Sequence, residues 1–88
     1  MPKPVILEKK PRKWLLDCTD ADLSTRILAK IKEIAAMPDV AGVSKIQGTR
    51  DMYRVRVGDY RIVYQYAPDF PLILVSNIAH RKEVYRGF

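Results

Sequence analysis

Cysteine and histidine each occur once in the 88 residues, as Cys18 and His80. A lone cysteine excludes an intrachain disulfide scaffold. One histidine among scattered carboxylates offers no metal-ligand spacing, so no bound metal is expected. Glycine is scarce, at four residues, and none falls in a phosphate-binding loop or a dinucleotide fingerprint. No serine sits in a recognisable nucleophile motif. No apolar run approaches the ~18 residues that a membrane span requires, and the first residues lack a signal-peptide core. Repeats and low-complexity segments are also missing. These absences predict a soluble cytoplasmic domain without cofactor, in which Cys18 is a small packing residue.

What the chain has instead is positive charge. Lysine and arginine number 16 against 10 aspartates and glutamates, for a formal net charge of +6. Up to Ser44 there are 8 basic and 6 acidic residues; from Lys45 onward there are 8 basic and 4 acidic, and 6 of those bases are arginines. Arginine presents a planar fork of donors that matches phosphate, so the second half carries the more selective cationic surface. A nucleic acid is the leading partner class, and a non-specific acidic surface is the bland alternative. At 48% hydrophobic content the chain is normal for one small globular domain spanning residues 1–88.

Three of the arginines fall in a regular stretch. Tyr53, Val55 and Val57 alternate with polar residues, as do Tyr60, Ile62 and Tyr64, which is the period of half-buried strands. Gly58-Asp59 between them suits a two-residue type II′ turn, whose first central residue needs φ > 0. That turn pairs Val57 with Tyr60, Arg56 with Arg61, Val55 with Ile62 and Arg54 with Val63. One face is then apolar, while the other collects Arg54, Arg56 and Arg61, with Gln65 beyond. Like charges opposite each other cost stability. A solvated polar face would tolerate arginines, but this one contains no acid, which favours anion binding.

The other elements follow from pattern. Val5-Ile6-Leu7 predicts a strand, Pro11 the first turn of a short helix over Arg12–Asp17, and Trp14 and Leu15 its buried anchors. Thr19 with Asp22 resembles a capping box for a second helix. Leu23, Ile27, Ile31 and Ile34 form its core stripe, widened by Leu28 and Ala35, and Pro38 stops it. Asp39–Gly42 is a connector. A strand over Val43–Ile46 is expected before the hairpin, and an interior strand over Leu72–Ile78 after it. The class is α+β: an N-terminal strand and two helices packed on a mostly antiparallel sheet of about four to five strands.

RNA can be cut without a metal when its own 2′-hydroxyl attacks the adjacent phosphate. The reaction needs a base, cations for the transition state and an acid for the leaving oxygen. Arginine supplies charge but cannot act as the base, because its pKa stays above ~12. Histidine is the residue type suited to proton transfer near neutral pH, and His80 is the one present, although a lone histidine is more often a surface or packing residue. Tyr85 suits stacking on a base or proton transfer among cations.

The run Tyr53 to Tyr64, the segment His80-Arg81-Lys82-Glu83-Val84-Tyr85 and the upstream Ile46-Gln47-Gly48 together resemble the RelE/ParE toxin superfamily, over about Val5 to Tyr85. The resemblance implies the RelE-like microbial RNase fold. It also implies a toxin of a type II toxin–antitoxin pair that enters the ribosomal A site and cleaves mRNA, with a RelB-like antitoxin as partner. It makes Arg61, Arg81, Tyr85 and His80 the catalytic candidates. Arg54 and Arg56 become phosphate contacts, and Lys45, Arg50, Lys82 and Arg86 become further RNA-binding cations. Where the best-described members have lysines as candidate bases, this chain has Arg54 and Arg56. A ParE-like inhibitor of DNA gyrase and a non-catalytic RNA-binding module are the alternative readings.

Overall fold

The structure is a computed structural model that describes residues 4–36 and 43–80. The elements run β1 (Val5–Leu7), α1 (Lys9–Asp17), α2 (Ala21–Ala36), β2 (Val43–Lys45), β3 (Met52–Val57), β4 (Tyr60–Gln65) and β5 (Ile73–His80). The five strands form one sheet in the order β1-β5-β4-β3-β2, with both helices against one face. The expected α+β architecture is therefore present, with one pairing that pattern did not specify: β1 lies parallel to β5, Val5 opposite Ile73 and Leu7 opposite Val75.

The helices begin where local chemistry satisfies their free amides. In α1 the helix starts at Lys9, three residues before the expected Arg12. The N–H of Arg12 bonds to the carbonyl of Glu8, so Pro11 occupies the first turn, where no intrahelical bond is lost. In α2 the cap is Asp20 rather than Thr19: its Oδ1 accepts from the N–H of Leu23 at 3.1 Å, and its carbonyl accepts from Ser24. Ile27, Ile31 and Ile34 are buried as the stripe predicts, with Leu23 half-buried, whereas Leu28 is 45% exposed and falls outside it. Pro38 and the connector 39–42 lie outside the described residues.

The isoleucines of α2 pack on Val55 and Val57 of β3, Ile62 and Tyr64 of β4, and Ile73, Val75 and Ile78 of β5. Each such burial is worth roughly 1.5–3 kcal/mol, so this layer holds α2 on the sheet. Trp14 and Leu15 of α1 close the cluster's edge as partly buried members. β1 ends at Leu7, after which the N–H of Glu8 bonds to the carbonyl of Val75 and the Ser76 hydroxyl donates to Glu8 Oε1 at 3.4 Å. β5 continues to His80, two residues past the expected end. No described helix is long and apolar enough to cross a membrane.

Asp20 and Thr19 are adjacent cap-forming residues, but one is used. Asp20→Ala should therefore lower stability by about 1 kcal/mol, while Thr19→Ala should leave it unchanged. Urea denaturation followed by circular dichroism reads both.

Candidate RNA-contacting face

The β3–β4 hairpin has the register that its turn dictates. Val57 pairs with Tyr60, Arg56 with Arg61, Val55 with Ile62 and Arg54 with Val63. Gly58 has φ +59°, and no described residue other than glycine has positive φ, so Asp59 does not. This is the II′ arrangement. A Cβ at Gly58 would meet the Arg26 guanidinium of α2 at an ordinary 3.5 Å. The demand for glycine is thus the backbone angle rather than space.

Directly opposed residues of an antiparallel pair share a face, so Arg54, Arg56 and Arg61 all project from the side of the sheet away from the helices. Arg56 is exposed. Arg54 and Arg61 are half-buried, and the Nε of each lies below the surface. Beside them is a small apolar patch in which Val63 and Ala79 are buried, with Ile46 and Met52 packed against them. The β2–β3 loop is folded to deliver Ile46 there. Its amide bonds to the carbonyl of Met52, its carbonyl accepts from the Thr49 hydroxyl at 2.6 Å, and Gly48 turns the chain with φ +80°. The rows of this face (Ser44-Arg54-Val63-Asn77, and Arg56-Arg61-Ala79) contain no acidic residue.

Other expected site residues are placed elsewhere. His80 pairs with Tyr60 and meets its ring edge-on, with centroids 5.5 Å apart; Tyr60 in turn packs at 5.5 Å on Trp14 of α1. His80 is therefore on the helix side of the sheet, separated from the three arginines by the sheet itself. Lys45 pairs with Tyr53 and is on the helix side too, at the edge strand. Arg50 is exposed in the β2–β3 loop. Arg81, Lys82, Tyr85 and Arg86 lie outside the described residues.

The cause of the His80 displacement is a bulge in β5. Tyr64 pairs with Val75 but Val63 pairs with Asn77, so Ser76 is an extra residue. Strand alternation shifts phase there: Ile73 and Val75 face the helices, and so does Ile78. Asn77 and Ala79 are thereby turned towards the arginines and His80 away from them. The sequence signal was the pair Ser76-Asn77, two polar residues in succession within an otherwise apolar strand. Ser44, opposite Arg54, is likewise a member of the face that the pattern did not reveal.

A groove of about 780 Å³ lies between α1, the start of α2 and β5, away from the arginines. Lys10, Lys13, Asp17 and Asp20 give it mixed charge over a floor of Trp14 and Tyr60. Asn77, Ile78 and Ala79 of β5 also line it, where the strand extends beyond β1. Among the described residues no three His, Cys, Asp or Glu side chains converge in a way that would hold a metal ion.

Comparison with known proteins gives concordant results. A family model described as the ParE toxin of the type II toxin–antitoxin system parDE matches residues 9–85. The toxin RelE3 of Methanocaldococcus jannaschii is 39% identical over 46 residues, covering 52% of this chain and 50% of that one, so the match spans about half of the curated relative's length. The solved RelE–RelB complex from Pyrococcus horikoshii superposes with a TM-score of 0.77 at 28% identity, over 92% of this chain and 97% of that one. A free mutant of the E. coli toxin RelE gives the same TM-score at 20% identity, over 98% and 93% of the two chains, which is a likeness of fold.

Arg56 and Arg61 are cross-strand neighbours of like charge, an arrangement that costs stability. Arg56→Thr should raise stability by a few tenths of a kcal/mol at low ionic strength. The gain should fade as salt screens the pair, which thermal melts at 20 mM and 500 mM salt (about 20 Å and about 4 Å screening lengths) will show.

Proposed function

The chain belongs to the RelE/ParE superfamily of type II toxin–antitoxin toxins, and from that premise we propose that it is a ribosome-dependent mRNA endonuclease. The observation that carries the reading is the acid-free face on which Arg54, Arg56 and Arg61 stand in cross-strand register. Such a face suits a bent phosphodiester, whose charge grows as the 2′-hydroxyl attacks phosphorus.

In this reading the 2′-oxygen bonds to phosphorus while the P–O5′ bond breaks, leaving a 2′,3′-cyclic phosphate and a 5′-hydroxyl. Arg61 and Arg56 donate to the non-bridging oxygens, and Arg54 holds the neighbouring phosphate. Arg81 and Tyr85, which match the superfamily's later arginine and its tyrosine, complete the site. The proton of the 2′-hydroxyl passes to Tyr85 or to a group on the ribosome, and the same group returns a proton to the departing 5′-oxygen; His80 faces Tyr60 on the other side of the sheet. The Pyrococcus relative is described in complex with RelB, and an antitoxin of that kind is assigned here as the inhibitory partner.

A second reading is supported by the name of the matching family, that of a ParE toxin. Under it the same fold inhibits DNA gyrase and the arginine face plays no chemical part. The arginines Arg61 and Arg81 together with Tyr85 favour the nuclease.

Mapping 5′ ends of ribosome-bound mRNA after brief induction separates the two. The nuclease reading expects new ends within codons, reduced about 100-fold or more by Arg61→Ala in a variant that still folds. His80→Ala should leave cleavage at the parental level. Relaxed or broken plasmid with unchanged mRNA ends would instead establish gyrase as the target.

A further inference from the structure

The arginines are donors only, and an RNA strand also offers donors. Arg54, Arg56 and Arg61 have no acceptor atom, while Val63, Ala79 and Met52 beside them are apolar. The face therefore binds phosphate but provides, from those residues, nothing that accepts a hydrogen bond from a sugar hydroxyl or a base amine. The β5 bulge supplies one acceptor. Asn77 pairs with Val63 and so occupies the same transverse row as Arg54, two strand spacings away, or about 10 Å. It is also the diagonal neighbour of Arg61, which pairs with Ala79, at roughly 7–8 Å.

The Asn77 side-chain oxygen is buried and makes no hydrogen bond within the described structure. An acceptor withdrawn from water without a partner is costly, and native structures seldom keep one. The residue as a whole is only partly buried. The outer torsion of asparagine is broad and two-fold, so the amide is able to re-aim its oxygen towards a donor bound on that face. Binding a donor there relieves a cost already present in the free protein.

We infer that Asn77 is a further RNA-contacting residue, whose side-chain oxygen accepts a hydrogen bond from a ribose 2′-hydroxyl of the strand that the arginines hold. A sugar hydroxyl fits better than a base amine because it lies within a few ångströms of the phosphates to which the arginines are matched. The 2′-hydroxyl is also the group that distinguishes RNA from DNA. The inference rests on the reading of the arginine face as an RNA surface. It extends that reading from charge, which any polyanion satisfies, to sugar identity.

The test is affinity for a fluorescein-labelled single-stranded RNA against DNA of the same sequence, by anisotropy at low salt and without ribosomes. The parent should prefer RNA. Asn77→Leu, which keeps bulk but removes the acceptor, should lower the RNA:DNA affinity ratio roughly 3- to 10-fold, the worth of one hydrogen bond. Its melting temperature should not fall, because an unpartnered polar group has been removed. Asn77→Ala gives the same comparison should leucine prevent folding, and Asn77→Ser, which keeps an oxygen, should retain part of the preference. Arg61→Ala should weaken RNA and DNA alike. An unchanged ratio in a folded leucine or alanine variant, or a parent without RNA preference, overturns the inference. A fallen ratio in a protein that cuts no mRNA would sustain it while removing the nuclease reading, and cleavage with an unchanged ratio would do the reverse.

Discussion

The two-residue turn at Gly58-Asp59 is the constraint on which the face depends. With φ +59° at Gly58, the hairpin closes in a single register, and that register decides the fate of every side chain in β3 and β4. A slip of β3 by one residue would send Arg54 and Arg56 among Ile27, Ile31 and Ile34 and push Val55 and Val57 into water. Burial of those apolar residues against α2 therefore enforces the arrangement of the cations on the far side. The energy that secures the charged face is spent on the opposite one. This is how a sheet carries arginines in opposition, Arg56 against Arg61, without giving way to their repulsion.

Legibility in the sequence followed the same logic. The hairpin could be read because period-2 alternation and a glycine of special φ agree on one answer. The α2 stripe could be read because burial of Ile27, Ile31 and Ile34 leaves little freedom. The cap was misread because Thr19 and Asp20 are both good cap formers, and the choice depends on where the helix docks rather than on either residue. The parallel alignment of β1 was not legible, since a three-residue strand of Val5, Ile6 and Leu7 contains no information about its partner's direction.

His80 and Asn77 exchanged faces for a reason that alternation alone cannot express. Counting by twos from Ile73 puts residue 77 with the core and His80 with the arginines; the extra residue at Ser76 inverts both. Lys45 was similarly assigned by charge without a face, and its pairing with Tyr53 decides the matter. Residue type identified the chemistry available, but the pleat decided which groups could act together. A catalytic role for His80 would need the imidazole to cross the sheet and leave its edge-on contact with Tyr60, which itself packs on Trp14.

The parallel contact between β1 and β5 has a consequence for synthesis. Among the described residues β1 precedes every other strand, yet it pairs with β5, the one furthest along the sequence, so Val5 must wait for Ile73 before either has a neighbour on that side. Contacts between distant parts of a chain are entropically dear and form late. The hairpin can close on its own as it emerges, but β5 and its bulge arrive afterwards. The arginines thus acquire their complete surroundings only once β5 has been made and has docked, not when the hairpin closes.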